Sequence, residues 1–315
     1  MRTVTFSHKT SGLLAYENAG MPKARRNEVV VKIMASSLNP HDWKYYNSLK
    51  AMTKIPLFSC DFKLGHDLAG VVVEVGSNVE TYKPGDEVYS MALKPGAFSE
   101  YAAIDQRMVS KKPRKLSFVE AGAIPMIALT ALQFYKMAHL KSGEHVLVNG
   151  GSGGVGHVAI QIAKAKGAHV TTVCSSRNTE LVKSLGADSV IDYTQEDTYE
   201  CGKRFDVVFD TIGNMTLRQS KSILEENGRF LATTPNAGIV ANAILSRLPG
   251  LTKIKTVTAI ALPKGSDLDL LREMIDQGDI RVLVDREFPI EDLNGAIEYS
   301  KTGRVKGKIA LNVAV

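Results

Sequence analysis

The stretch from His145 to Gly156, HVLVNGGSGGVG, constrains this chain more than any other. The apolar run Val146-Leu147-Val148 leads into a glycine cluster. A helical pattern follows at once through Val158, Ile160, Ile162 and Ala163. Strand, glycine turn and helix in that order open a dinucleotide-binding βαβ unit. Gly151, Gly153 and Gly156 fill the G-x-G-x-x-G positions. The first permits the tight turn, the second lets the backbone approach a pyrophosphate, and the third lets the helix sit close to the strand. The free N–H groups and dipole of the helix start then favour an anion.

Downstream, apolar strands alternate with helical patterns. Strands are expected at His145–Val148, His169–Cys174, Ser189–Asp192, Asp206–Phe209, Arg229–Ala232 and Lys255–Leu262. The intervening helices are Val155–Lys166, Thr179–Leu185, Met215–Leu224 and Ala241–Ser246. Continuously apolar strands suit a parallel sheet covered on both faces, so a doubly wound six-stranded sheet is expected. The first ~120 residues read differently, as short strands between Pro/Gly turns. Examples are Glu28–Met34, Ala69–Val75, Glu87–Met91 and Gly96–Ile104, with Lys83-Pro84-Gly85-Asp86 as a turn. Phe118 to Lys136 reads as two helices around Pro125. After Pro263, helices at Leu268–Gln277 and Ile290–Lys301, an extended Arg281–Phe288 and a strand at Lys308–Val313 lie beyond the six-stranded sheet. They are expected to return to the first domain. The domains are thus a discontinuous β-rich one (1–122 and 264–315) and a dinucleotide-binding one (123–263).

The 315 residues suffice for two cores. The net charge of +6 is scattered, and no basic run is interleaved with aromatics, so nucleic acid is not an expected partner. Three cysteines (Cys60, Cys174, Cys201) without pairing spacing, and no C-x-x-C, suit a reducing compartment and disfavour a cysteine-rich zinc site. The N-terminal MRTVTFSHKT lacks a signal-peptide core, and no apolar run has the length of a membrane span. A cytoplasmic location is expected.

The strand HVTTVC ends in Ser175-Ser176-Arg177-Asn178, without the carboxylate that binds a ribose 2′-hydroxyl. Two hydroxyls and a guanidinium suit a 2′-phosphate, and so favour NADPH. The same residues are also natural helix caps. Tyr193 either closes this pocket with its hydroxyl or is a half-buried loop tyrosine.

Taken together, the motifs resemble a known family. They are Ser37-Leu38-Asn39-Pro40-His41-Asp42-Trp43-Lys44, Gly65-His66-Asp67-Leu68-Ala69-Gly70, Lys83-Pro84-Gly85-Asp86, Gly151–Gly156, Ser184-Leu185-Gly186-Ala187-Asp188 with Asp192-Tyr193, and Gly307-Lys308. In this order the chain resembles the medium-chain dehydrogenase/reductase superfamily, in its zinc-independent quinone oxidoreductase-like and alkenal (enone) reductase branch. The resemblance implies an α/β protein: a GroES-like β-rich catalytic domain plus a Rossmann domain, with the active site in the cleft. It implies that Gly154, Val155, Ser175, Arg177 and Tyr193 contact the NADPH phosphates, in a cofactor site also including Gly151, Ser152, Gly153, Gly156, Ser176, Asn178 and Lys308. Lys44 would approach the cofactor from the catalytic domain. Asn39 would lie near nicotinamide and substrate, with Tyr46 and His66 as further catalytic candidates. Relatives often pair through an edge of the Rossmann sheet, which makes Thr256–Leu262 the candidate homodimer edge.

Zinc-dependent members carry a cysteine where this chain has Asn39, and asparagine is a poor replacement for a thiolate. His66 occupies a zinc-ligating position without its partners, which leaves it a hydrogen-bonded relic or a pocket donor. Without zinc there is no Lewis acid to polarise an alcohol. A quinone or an α,β-unsaturated carbonyl accepts hydride directly, and its developing oxyanion needs only hydrogen-bond donors. The candidates are Asn39, Lys44, Tyr45, Tyr46 and His66, although Tyr45 and Tyr46 also suit loop packing beside Trp43. The alternatives are a zinc-independent alcohol or carbonyl dehydrogenase and a non-catalytic NADPH-binding sensor.

Overall fold

A computed structural model describes residues 1–6, 14–44, 62–248, 251–252 and 254–313. The chain divides into two compact units. One comprises Met1–Met126, Leu262–Gln277 and Val282–Val315, the other Ile127–Ala261 and Gly278–Arg281.

The first unit begins with eight strands: β1 (Arg2–Phe6), β2 (Leu14–Asn18), β3 (Glu28–Leu38), β4 (Phe62–Lys63), β5 (Asp67–Val75), β6 (Glu87–Met91), β7 (Tyr101–Asp105) and β8 (Val109–Lys111). The second unit contributes β9 (His145–Asn149), β10 (His169–Cys174), β11 (Ser189–Asp192), β12 (Phe205–Asp210), β13 (Leu224–Ala232) and β14 (Lys255–Val257). The tail adds β15 (Val284–Pro289) and β16 (Lys308–Asn312) to the first unit.

β3 is the axis of the first unit. β7 pairs with its beginning, β5 with most of its length, and β16 antiparallel with Ala35–Leu38. This explains a difference from the sequence reading, which ended the strand at Met34. Pairing with β16 extends it to Leu38 and so delivers Asn39 at its tip. Val29, Val31, Ile33, Leu68, Val72, Phe98 and Leu311 form part of the core around it. The strand expected at Gly96–Ile104 starts only at Tyr101. The amides of Ala97 and Phe98 bond instead to the carbonyls of Gly65 and Leu64. The helix expected from Leu268 begins at Gly265, whose Cα lies so near the Val109 carbonyl that a Cβ would sit 2.8 Å from it.

The second unit holds a wholly parallel sheet ordered β11-β10-β9-β12-β13-β14, the six-stranded doubly wound arrangement expected from sequence. Val146–Val148 and Val207–Phe209 are completely buried, as strands covered on both faces must be. Three local readings change. β14 stops at Val257 instead of Leu262, being an edge strand with one neighbour in the sheet. The helix expected at Ala241–Ser246 starts at Ala237, because Asn236 caps it through Oδ1 to the Ile239 amide. The helix expected at Met215–Leu224 is trimmed to Leu217–Ile223 by a Thr216/Gln219 capping box. Gly278–Arg281 belongs with this unit because the Gln161 side chain clasps Arg281, accepting from its N–H (2.8 Å) and donating to its carbonyl (3.0 Å).

Candidate functional site

In the second unit the glycine turn forms as its chemistry requires. Gly150 takes φ +84, and the amides of Gly150 and Gly151 both bond to the Val173 carbonyl at the end of β10. A Cβ on Gly151 would sit 1.9 Å from Thr172 Oγ1, and one on Gly156 2.1 Å from the Gly150 carbonyl. These two glycines are required by the close packing of turn, strand and helix. Gly153 differs: the nearest atom to a Cβ there is 3.4 Å away, so its outer side is open. It also stands at the N-cap of the helix Gly154–Ala165 with no side chain capping the helix amides. Open space beside uncapped amides at a twelve-residue helix start suits an anion such as a phosphate group.

The loop after β10 borders this space. Asn178 Nδ2 donates to Ser152 Oγ at 2.9 Å and ties the two loops together. Asn178 Oδ1 and Ser175 Oγ are buried without a hydrogen-bond partner, so both await one. Arg177 is exposed and makes no ion pair among the described residues. Tyr193 is 58% exposed. Ser176 requires a correction. Its hydroxyl bonds to Asp192 at the end of β11, where Thr194 also donates through its backbone N (3.0 Å) and Oγ1 (2.7 Å). These donors, Ser176 first, hold the Asp192 carboxyl below the usual carboxylate range. The loop therefore does have a carboxylate beside it, at the end of the expected strand Ser189–Asp192 rather than of the strand before the loop, and it engages Ser176 instead of leaving it for a phosphate.

One group of rim residues went unread in the sequence. Asn149, at the tip of β9, donates to Asp210 at the tip of β12 (2.9 Å) and to Asn214 (2.7 Å). Asp210 accepts from the amides of Ile212, Gly213 and Met215, folding the loop at the carboxyl edge of the sheet. Ligands of doubly wound sheets bind along that edge. The legible signal was Asp210-Thr211-Ile212-Gly213 directly after an apolar strand.

In the first unit a buried polar cluster gathers at the tip of β3. Residues 40–44 are helical, and Asn39 precedes them with Pro40 as the first helical residue. The Asn39 amide donates to Asp42 Oδ2 at 2.8 Å, as in a capping box. Its side chain turns elsewhere: Nδ2 donates to Asp67 Oδ2 (2.8 Å), and Oδ1 accepts from Lys308 Nζ (2.6 Å). Lys308 also donates to the Leu38 carbonyl (3.1 Å) and lies 3.7 Å from Asp67 Oδ2. Asp67 accepts further from Ser37 Oγ (2.8 Å) and from the Met126 amide (2.7 Å). Asn39, Asp42 and Lys308 are each 3% exposed, and Asp67 is wholly buried.

Burial pushes the Asp42 carboxyl up to about 6, against the pull of nearby His66, the Asn39 amide and Lys308. Burial likewise lowers the Lys308 ammonium, while Asp67 and Asp42 hold it up. The sequence reading had Lys308 as a cofactor contact, but its ammonium is enclosed in this cluster. His66 Nδ1 lies 2.9 Å from the Ala92 carbonyl, and a carbonyl only accepts, so Nδ1 carries the hydrogen. Nε2 of neutral His66 is then an acceptor, and His66 donates from that nitrogen only as the cation. The His41 ring lies 5.5 Å from it, tilted by 58°, and burial lowers the His41 pKa. Lys44 is exposed, with its ammonium 5.7 Å from the Trp43 ring centre. Tyr45, Tyr46 and Cys60 lie outside the described residues.

Comparison with known proteins bears on both units. Residues 25–114 match the alcohol dehydrogenase GroES-like domain, and residues 185–311 match a zinc-binding dehydrogenase model. The chain is 32% identical to a chloroplast envelope quinone oxidoreductase homolog of Arabidopsis thaliana, over 94% of this chain and 93% of the relative. The chain belongs to the medium-chain dehydrogenase/reductase family. A second Arabidopsis thaliana relative, the chloroplastic NADPH-dependent alkenal/one oxidoreductase, is 33% identical over 93% of this chain and 74% of its own length. The solved quinone oxidoreductase of Coxiella burnetii superposes with a TM-score of 0.87 at 30% identity, covering 100% of this chain and 99% of that one. Among the described residues, the side chains around Asn39 do not fit the metal that the zinc-binding model implies. Asn39 has both amide atoms engaged, and no group of three or more His, Cys, Asp or Glu is placed to hold an ion among the described residues. Nor is any helix among them long and apolar enough to cross a membrane.

Proposed function

We propose that this chain transfers hydride from NADPH to a quinone or an α,β-unsaturated carbonyl, with no metal in the step. The observation that carries the reading is the buried Asn39 carboxamide, engaged by Lys308 and Asp67, at the position where the family resemblance implies a cysteine in metal-dependent members. The second unit holds the cofactor. Its pyrophosphate lies against Gly151, Ser152, Gly153, Gly154, Val155 and Gly156. Ser175, Arg177, Asn178 and Tyr193 take the 2′-phosphate and ribose. The open side of Gly153 and the partnerless Ser175 Oγ and Asn178 Oδ1 support the fit. Bound NADPH supplies the hydride.

The residues of the first unit supply the electrostatics. One Asn39 Nδ2–H is committed to Asp67, and the other donates to the oxygen that gains charge as hydride arrives. His66 is a second donor, and Tyr46 a third. The proton that completes reduction comes from solvent or a tyrosine. The described free cysteines, Cys174 and Cys201, support a reducing location, the cytoplasm. The active form is a homodimer.

The reading is tested by NADPH oxidation with a panel of quinones and 2-alkenals, before and after chelation. Turnover that survives chelation is expected. Turnover abolished by chelator, or confined to alcohols, sinks the proposal. Arg177→Ala in the same assay is expected to weaken NADPH roughly tenfold or more while leaving NADH nearly unchanged. An equal loss for both cofactors would count against the 2′-phosphate contact.

A further inference from the structure

The cluster at the tip of β3 holds more polar machinery than one hydrogen-bond donor requires. A carboxamide in water rotates and offers either end. Here Oδ1 faces an ammonium at 2.6 Å and Nδ2 a carboxylate at 2.8 Å, so turning it over would set Nδ2 against Lys308 and Oδ1 against Asp67. The two strands flanking β3 supply these groups. β16 pairs Ile309 with Leu38, so the next step of the register sets Lys308 beside Asn39. β5 pairs Leu68 with Ser36, so the next step sets Asp67 beside Ser37. Asp67 is itself fixed by Ser37 and by the Met126 amide.

We infer that Lys308 is a positioning residue for hydride transfer: with Asp67 it locks the Asn39 carboxamide in one orientation and polarises the remaining Nδ2–H toward the substrate oxygen. This rests on the reading of Asn39 as the donor. A cation on the amide oxygen draws electron density from the nitrogen, and hydrogen bonds in a chain strengthen one another at low dielectric. The buried ammonium thus raises the donor strength of Asn39 without touching substrate. A merely structural lysine would instead act by neutralising the buried carboxylates.

The experiment separates these roles with p-benzoquinone and crotonaldehyde as electrophiles. Lys308→Met is expected to lower kcat roughly tenfold or more, by analogy with loss of an oxyanion donor, with NADPH KM changed less than about twofold. Lys308→Arg, which keeps the cation, recovers part of the rate. Because Lys308→Met leaves two carboxylates buried with one cation fewer, it is paired with Lys308→Met/Asp42→Asn, which preserves the net charge. A folded double variant that stays slow supports the inference, and one that regains wild-type kcat overturns it.

The third arm needs neither substitution nor turnover. Selectively labelled wild-type protein is titrated to alkaline pH, following the Asn39 side-chain amide by NMR. The charged groups facing Lys308 are Asp67 from β5 and Asp42 from residues 40–44, and Asp42 in turn feels His66. Burial places deprotonation of Lys308 below the ordinary lysine range. The amide resonance is expected to move as that proton leaves, before unfolding. A resonance fixed until the protein unfolds overturns the inference whatever the electrophile, whereas wild-type inactivity on both electrophiles with a moving resonance counts only against the proposed substrates.

Discussion

Asp42 shows how one side chain ties the chemistry of the cluster to stability. Its carboxyl is pushed from the usual 3.8 up to about 6 because burial penalises the charged form. A raised carboxyl pKa means that the folded state binds the proton more tightly than the unfolded chain. The resulting stabilisation is fully present below 3.8 and is lost as pH rises through about 6, a swing of up to about 3 kcal/mol. Asp42→Asn removes the ionisation and keeps an oxygen to accept the Asn39 amide. The variant is expected to melt above wild type at pH ~8 and to lose that advantage near pH ~4. Melting curves with the same gain at both values would show that Asp42 is not the titrating group. At this scale the sequence was only partly informative. Asn39 and His66 were visible as departures from a metal-binding pattern. The roles of Asp67 and Lys308 were not, because 240 intervening positions separate two residues that only strand pairing with β3 brings to Asn39.

Elements were more legible than single side chains. The Gly151–Gly156 turn was readable because Gly151 and Gly156 answer local steric demands that no other residue meets. The structure further divides the glycines by task, which permits a paired prediction. Gly156→Ala would force a Cβ to within 2.1 Å of the Gly150 carbonyl, and is expected to destabilise the fold by about 1–3 kcal/mol. Gly153→Ala meets nothing nearer than 3.4 Å at an ordinary φ of −84°. It should change stability by less than about 1 kcal/mol, yet weaken NADPH more than about tenfold by filling the open space beside it. Thermal melts with and without NADPH separate the two. A Gly153→Ala protein that binds NADPH normally would displace the pyrophosphate from this loop. Element ends were read less well, since they depend on partners distant in sequence. β3 is lengthened by β16, β7 is shortened by the claims of Leu64 and Gly65 on Ala97 and Phe98, and β14 is cut short as an edge.

At the scale of the whole molecule, the open question in each sheet is its edge. The β14 edge is three residues long and bonded to β13 on one side, within a sheet whose other strands run inward from it. An exposed edge invites pairing with another chain unless charge, proline or a cover blocks it. Here the chain past β14 carries apolar residues instead: Ile260 is 87% exposed, and Leu251 before the strand 58%. In a two-fold dimer the same edge serves both partners, so one apolar patch meets its own copy. The chain is therefore expected to sediment at twice its monomer mass at micromolar concentration. Ile260→Lys should shift it toward monomer by setting like charges against each other across the two-fold, with the fold of each copy intact. A wild-type protein that sediments as a monomer throughout would remove the edge-pairing argument. A dimer indifferent to Ile260→Lys would move the interface to another surface. The same measurement on Arg177→Ala provides the control, because that residue lies in the loop after β10, apart from β14 in the sheet order, and its loss should leave the mass unchanged.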